Sequence, residues 1–381
     1  MTTAVILPAT EDDVADAVAD AVRDDVRLAI VGGGSKVGVG APTGAQELSL
    51  RGVAGVVDYD PAELVLTVRP GTPLAEVQAL VAGADQMLAF EPFDHGPIFG
   101  AATGAATIGG VVAAGVAGSQ RVSAGGARDH LLGFRAVSGR GERFVAGAKV
   151  VKNVTGYDLP KLAAGSWGRL FAMTELTLKV MPRPRVVATR VIAGLGAAQA
   201  VRAMAAAMGS QAEVAAAGHL PGRGVTAFRI QGFGPSVTAR CAVLESRLRE
   251  FGAVEEPSPD EVEAIWAELR NLSPLGSERA LWRMNVPPSA APGVIATLAP
   301  LGADWLLDWA GGLIWLAADD AATVVRDAAT AAGGHAALVR APATVRAAVP
   351  AFHPQPAGLA ALEARVRRAF DPAEVFETGR F

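Results

Sequence analysis

The sequence predicts an α+β protein built in two parts, and three observations carry that reading. Two glycine-rich segments about seventy residues apart each follow a strand-like run. They are Val31-Gly32-Gly33-Gly34-Ser35-Lys36-Val37-Gly38, and Gly100 to Gly126 with Thr107-Ile108-Gly109-Gly110 inside it. Pro182 and Pro184 punctuate the chain, and strands and helices alternate differently after them. The length of 381 residues exceeds what one core supports, about 250–300 residues. A turn stripped of side chains lets backbone N–H groups approach an anion closely. Two such turns in one half point to a ligand with a central diphosphate and bulky groups at both ends, which we read as FAD.

The elements follow in order. Val5–Pro8 reads as a short strand. Thr10 caps a helix to about Arg23, with Glu11, Asp12 and Asp13 in its first turn and Val14, Val18, Ala21 and Val22 on one face. Leu28–Val31 is a strand feeding the first glycine turn. Residues 55–59 and 63–68 read as strands paired around Asp60-Pro61, and Thr72 begins a helix with Pro73 at its first position. Strand patterns recur at 131–137, 142–145 and 174–180. Beyond Pro184 come a strand at 185–193, a helix at 196–208, strands near 212–217 and 225–231, and a helix at 235–251. A second set has strands at 280–286, 304–309 and 312–317, a helix at 319–332 and a strand at 335–340. Two strand–helix–strand sets imply an antiparallel sheet with helices on one face. Pro350, Pro354 and Pro356 lead to a last helix over 359–370. The resulting division is 1–181, 182–355 and 356–381.

Bulk properties exclude several classes. Lys plus Arg number 34 against 38 Asp plus Glu, a net charge of −4, without a run of like charge. Nucleic-acid binding and a polybasic membrane surface are poor fits to that balance. One cysteine, Cys241, leaves no disulfide framework and no iron–sulfur cluster held by this chain alone, in keeping with a cytoplasmic location. The first residues lack the basic start and apolar run of a signal peptide. Gly96 to Gln120 is uncharged and long enough to mimic a membrane span. Its seven glycines make it a buried, turn-rich cofactor segment instead, so no membrane span is expected.

Two nucleotide motifs fail on inspection. Gly32 and Gly34 are not followed by the third glycine of G-x-G-x-x-G, because position 37 is valine. Gly33 and Gly38 have Walker-A spacing, but Val39 and Gly40 stand where Lys and Ser/Thr belong. What remains is a backbone nest with the Ser35 hydroxyl beside it. In the second region, Thr107 can donate to a phosphate or a flavin carbonyl. Arg128 and Asp129 either brace each other or touch the ligand. A third element, Lys152 to Leu159, precedes Gly165-Ser166-Trp167-Gly168.

The order Gly-Gly-Gly-Ser, Thr-Ile-Gly-Gly, Thr-Gly-Tyr-Asp-Leu, Gly-Ser-x-Gly and Thr174-Glu175-Leu176-Thr177-Leu178-Lys179 resembles FAD-linked oxidases of the vanillyl-alcohol oxidase/p-cresol methylhydroxylase type. The segment Ala369 to Arg380 is similar to that family's closing signature. Val151 to Asp158, Leu281-Trp282-Arg283, Asp308-Trp309-Ala310-Gly311 and Gly333-Gly334-His335-Ala336 narrow the likeness to FAD-binding E subunits of bacterial glycolate oxidase. The resemblance implies a bipartite α+β FAD-binding domain, an α+β cap domain with an antiparallel sheet, and a tail returning to the FAD domain. Val31, Gly32, Gly33, Gly34, Ser35, Lys36 and Gly38 match the loop that cradles the diphosphate. Thr107, Ile108, Gly109, Gly110, Gly115 and Gly118 match the segment beside the ring and ribityl chain. Arg128 and Asp129 follow it, and Gly156, Tyr157, Asp158 and Gly165 match the far side of the cleft.

Departures from the pattern carry information too. Members with covalent flavin use a histidine, often in the first loop, where this chain has Ser35-Lys36; non-covalent FAD is therefore expected. Larger catalytic relatives hold a metal in the cap, but no two of the five histidines here have metal-ligand spacing, so no metal is expected. The tail has Phe376-Glu377-Thr378-Gly379 in place of the family's Asn-Pro-Gly. No catalytic base is assigned. Arg283 and Arg340 suit a carboxylate clamp or a plain ion pair. His335 faces a cleft or is a hydrogen-bonded strand residue, and Tyr157 faces the ring or packs. Trp282, Trp305, Trp309 and Trp315 read as cap core or interface.

The resemblance implies one FAD subunit of a membrane-associated complex oxidising glycolate, a 2-hydroxy acid, to glyoxylate. Its partners would be a larger catalytic FAD subunit and an iron–sulfur subunit passing electrons to quinone, with peripheral contact at the inner face of the membrane. A stand-alone FAD-dependent 2-hydroxy-acid oxidase or dehydrogenase, and a non-catalytic structural subunit, are the alternatives.

Overall fold

The computed structural model describes residues 5–148, 156–319 and 321–381. Helix α1 (Glu11–Arg23) starts at Thr10, whose side chain accepts from the Asp13 N–H while Asp13 accepts from the Thr10 N–H. Strand β1 (Leu28–Val31) pairs in parallel with β2 (Gln46–Ser49). The predicted strand at Val5–Pro8 is a single bridge from Ile6 to Leu48. Val14, Val18, Leu28 and Leu48 form a small core here, and Val375 and Phe376 of the tail complete it.

Next comes a five-stranded antiparallel sheet in the order β3-β4-β7-β5-β6, with β3 Val56–Asp60, β4 Val65–Val68, β5 Leu131–Ser138, β6 Arg143–Gly147 and β7 Phe171–Lys179. Helices α2 (Leu74–Ala82) and α3 (Ile108–Ala114) bury Leu74, Val77, Ile108, Val111 and Val112 against it. Helix α2 starts one residue later than expected, at Leu74 with Pro73 before it. The Thr72 hydroxyl instead donates to the Arg69 carbonyl and accepts from the Gly55 N–H, tying down the loop before the helix.

After Pro182 the chain forms a seven-stranded antiparallel sheet: β8 (Val186–Ala193), β9 (Ala216–Leu220), β10 (Val225–Gly232), β11 (Leu281–Asn285), β12 (Asp304–Asp308), β13 (Leu313–Ala317) and β14 (His335–Arg340), in the order β8-β10-β9-β12-β13-β11-β14. Side chains alternate across its two faces. One face carries Phe228, Ile230, Trp282, Met284, Ile314, Leu316 and Leu338, covered by helices that include Ala197–Met208, Gly234–Leu248, Ala291–Leu298 and Ala322–Ala331. The other carries Leu220, Ala227, Leu281, Leu306, Leu313, Trp315 and Val339, and packs on Val39 and Ile98 of the first half. Two polar links lock the seam. Ser119 donates to buried Asp308 at 2.8 Å, and the Trp309 indole donates to the Gly118 carbonyl at 3.0 Å. The last helix, Ala357–Phe370, leads into a tail that runs back over the first half. No helix among the described residues is long and apolar enough to cross a membrane.

Candidate functional site

The first glycine turn follows β1 and lies against the segment entering α3. Its glycines answer to close approach. A Cβ on Gly33 would sit 1.3 Å from the Ala105 carbonyl oxygen, and one on Gly32 would sit 2.3 Å from the Thr107 hydroxyl. Gly34 has φ +82°, which favours glycine. The Arg51 guanidinium donates to the Gly33 carbonyl and pins the turn from behind. Thr107 caps α3, its hydroxyl accepting from the Gly110 N–H at 3.4 Å. Val31 to Lys36, Thr107, Gly109 and Gly110 thus line one narrow cleft of about 90 Å³.

Lys36 supplies its charge. Among the described residues its ammonium has one hydrogen-bond partner, the neighbouring Ser35 hydroxyl, at 3.2 Å. Burial lowers its pKa to about 8, against a weaker opposing pull from Asp94. A desolvated cation beside a glycine nest fits an anion such as the diphosphate of FAD. The tail closes the rim. Arg380 donates to the Val39 carbonyl at 2.7 Å and the Lys36 carbonyl at 2.8 Å, and Phe381 stacks on Phe352 with ring centroids 5.0 Å apart. Phe376, buried in the first core, does not reach the cleft; Arg380 and Phe381 are the tail residues that line it.

Ala114 and Trp167 also line a second, larger cavity of about 520 Å³ between the halves. Strand register builds its cap side. Arg283 of β11 faces Trp315 on one neighbour and Ala337 on the other, with His335 two residues from Ala337. Those four side chains therefore share a face, and all line the cavity. Phe93 and His95 line it from the first half, and Phe352, His353 and Gln355 from the segment before the last helix. Arg283 lies over the Trp309 ring at 5.0 Å and has neither a hydrogen-bond nor an ion-pair partner among the described residues. Desolvation brings its pKa down to about 10, with Arg121 adding repulsion. His335, exposed on the cavity wall, has its pKa lowered by burial, then by Arg283 and His353.

Several expected site residues lie elsewhere. Gly38 is packed under the Phe99 ring, where a Cβ would come within 2.9 Å. The Ile108 side chain is core. Gly115 ends α3 at φ +64° against Gly165, and it faces the larger cavity. Gly118 packs on Glu91 at the seam. Asp129 accepts from the Gly126 N–H at 2.8 Å, a local cap and not a brace for Arg128. Arg128 instead lies near enough to Asp158 to help lower that carboxyl's pKa, after Lys161. Asp158 caps the short helix Leu159–Ala163 through the Lys161 N–H, and Tyr157 is 91% exposed. Lys152 to Thr155 fall outside the described residues. Arg340 is no carboxylate clamp: its guanidinium donates to the carbonyls of Ile98, Gly276 and Arg279. Sequence reasoning passed over Pro70, Ala113, Ala114, Trp167, Arg380 and Phe381 in the cleft, and Phe93 and His95 in the cavity. His95 stands immediately before the uncharged glycine segment, Trp167 lies inside Gly165-Ser166-Trp167-Gly168, and Arg380 ends the closing signature, so those three carried a signal.

Among the described residues no group of three His, Cys, Asp or Glu side chains is placed to hold a metal ion. A family model described as an FAD binding domain matches residues 2–147. The glycolate oxidase subunit GlcE of Escherichia coli (strain K12) is 34% identical over 363 residues, covering 93% of this chain and 92% of that protein. A D-lactate dehydrogenase of Anaerostipes hadrus is 34% identical over 166 residues, 44% of this chain but only 32% of its own length. The solved structure of p-cresol methylhydroxylase with substrate bound superposes with a TM-score of 0.76 at 14% identity, covering 99% of this chain and 88% of that one. The fold is therefore of that type, an FAD-binding half with an α+β cap. On the near full-length match, this chain belongs to the family of FAD-binding E subunits of glycolate oxidase.

Proposed function

We propose that this chain is the FAD-binding subunit of a complex oxidising glycolate, or a similar small 2-hydroxy acid, to the 2-oxo acid. Residues 1–181 hold the cofactor, 182–355 cap it, and 356–381 return to seal the rim. The observation that carries the reading is Arg283: a half-buried guanidinium with no counter-ion among the described residues, in the cavity that adjoins the nucleotide cleft. Such a group gains most from a bidentate carboxylate. Bound FAD supplies a two-electron acceptor, held without a covalent link. Gly32 to Gly34 and Lys36 hold its diphosphate, while Thr107, Gly109 and Gly110 flank the linker. Arg283 orients the acid, and Phe93, Leu313 and Trp315 keep water from the cavity. Electrons leave through a larger flavin subunit and an iron–sulfur subunit to quinone, with the assembly at the inner face of the membrane.

The test is the visible spectrum of the purified chain before and after anaerobic glycolate, alone and with its partner subunits. Bound flavin, released by acid precipitation and bleached only in the assembly, supports the proposal. Bleaching by the isolated chain favours a stand-alone 2-hydroxy-acid dehydrogenase, a second reading to which the local similarity to D-lactate dehydrogenase lends weight.

A further inference from the structure

We propose that His95 accepts the hydrogen bond of the α-hydroxyl of an acid whose carboxylate lies on Arg283, and so selects 2-hydroxy acids over simple acids. The inference rests on the reading of Arg283 as the carboxylate site and adds a second point of recognition. His95 lies in the wall supplied by the FAD-binding half, across the seam from Arg283. Its ring is stacked on Phe93 with centroids 4.6 Å apart and planes 14° from parallel, which fixes its orientation. Nδ1 is fully buried and makes no well-formed hydrogen bond. Nε2 has no hydrogen-bond partner among the described residues and is not among the fully buried unpartnered atoms, and the residue lines the cavity.

A neutral imidazole carries one N–H and one acceptor nitrogen. Burial, with the nearby Lys36 ammonium next, holds the His95 pKa well below 6.5, so the ring is neutral at pH 7. The Phe93 backbone opposes that shift and favours a ring proton. We place that proton on enclosed Nδ1, which leaves the Nε2 lone pair toward the cavity. A hydroxyl donor satisfies that lone pair; a second carboxylate would not.

The other cavity imidazoles are worse placed for the task. His353 is engaged on both nitrogens, with the Ala336 N–H at 3.2 Å and the Thr330 hydroxyl at 3.2 Å. His335 is free of protein partners but exposed, so water can satisfy it. His95 discriminates because the bound acid covers its acceptor nitrogen, and an acid lacking the hydroxyl leaves that acceptor unpaired.

The experiment titrates the FAD-loaded protein with 2-hydroxyisobutyrate and with isobutyrate, following the flavin spectrum. The two acids differ only by the hydroxyl, and the first has no Cα–H to lose. Wild type is expected to prefer the hydroxy acid by about 10-fold. His95→Phe keeps the stack on Phe93, retains FAD, and brings the ratio to about 1. His95→Asn, too short to reach as far, gives the same loss should the phenylalanine variant fail to fold. His335→Phe leaves the ratio unchanged. A ratio that survives both His95 substitutions, or that collapses in His335→Phe instead, overturns the proposal. Equal weakening of both acids by Arg283→Met tests the carboxylate reading separately. A wild type that binds neither acid overturns the two together.

Discussion

The narrow cleft over Gly32–Gly34 and the larger cavity around Arg283 adjoin at Ala114 and Trp167, yet they are built by opposite means. The cleft is walled by glycine backbone together with side chains such as Trp167 and Phe381, and Gly32, Gly33 and Gly109 are there because neighbouring atoms leave no room for a Cβ. The cavity is walled by side chains from separate segments, brought together by sheet register and by the seam between the halves. A site made by close backbone approach tolerates little change, whereas a site made by side chains on a sheet face tolerates substitution. The contrast implies that damage to the cleft removes the cofactor, whereas damage to the cavity spares the cofactor and alters the acid.

The largest effect is expected at Gly33. Gly33→Ala places a Cβ 1.3 Å from the Ala105 carbonyl oxygen, and neither backbone can give way cheaply. The protein is expected to purify without flavin, read as the ratio of absorbance near 450 nm to that at 280 nm, with a lowered Tm. A yellow, fully loaded G33A protein would show that the cradle is looser than its geometry.

Arg283→Met comes next. Affinity for a small 2-hydroxy acid should fall ~100-fold, the cost of losing a desolvated charge-assisted pair, with FAD content unchanged. Thermal stability of the acid-free protein should hold or rise, because the substitution removes a partly desolvated charge that has no counter-ion among the described residues. A large loss of stability would mean that Arg283 has a structural partner.

The same contrast explains what was legible beforehand. Gly32–Gly34 and Thr107–Gly110 stood out because contiguous glycines report a backbone demand directly. The alternation that made Leu281, Arg283 and Asn285 a strand was readable too, but not which strands would flank it; Trp315, Ala337 and His335 share its face only through register. Helix α3 was hidden because Gly109 and Gly110 lower helix propensity, a weakness that burial of Val111 and Val112 offsets. Helix Pro259–Asn271 was overlooked although Ser258-Pro259-Asp260-Glu261 is a capping box, with Ser258 donating to Glu261 at 2.8 Å. That signal was present and unread. Arg340 misled for a physical reason: a guanidinium serves loop carbonyls as readily as carboxylates, and only the fold decides between them.

Lys36→Met should weaken FAD binding ~10-fold, the loss of one partly desolvated charge contact to a diphosphate. The pH dependence sharpens the comparison further. In the FAD-free protein the ammonium has a pKa of about 8 against 10.5 for the free side chain. Between those values the unfolded chain binds more protons, so stability of the FAD-free protein should rise as pH goes from 8 toward 10.5. Bound diphosphate restores the charged form and should abolish the rise, as should Lys36→Met. Denaturant melts at pH 8 and pH 10 with and without FAD would measure this. A rise that persists in Lys36→Met would assign it to another group.

The smallest effect is expected at the seam. Asp308 is buried, accepts from the Ser119 hydroxyl at 2.8 Å and the Trp309 N–H at 2.7 Å, and has its pKa raised to about 7, chiefly by desolvation. A carboxyl whose folded pKa lies above its unfolded value of 3.8 contributes stability below pH 4, and that contribution disappears as pH rises through 7. Asp308→Asn keeps an acceptor oxygen and removes the charge. It should therefore leave stability nearly unchanged at pH 3 and raise it at pH 8, by on the order of 1 kcal/mol after allowance for relaxation at the seam. Equal effects at the two pH values would mean that Asp308 is ionised throughout and that the seam tolerates its charge.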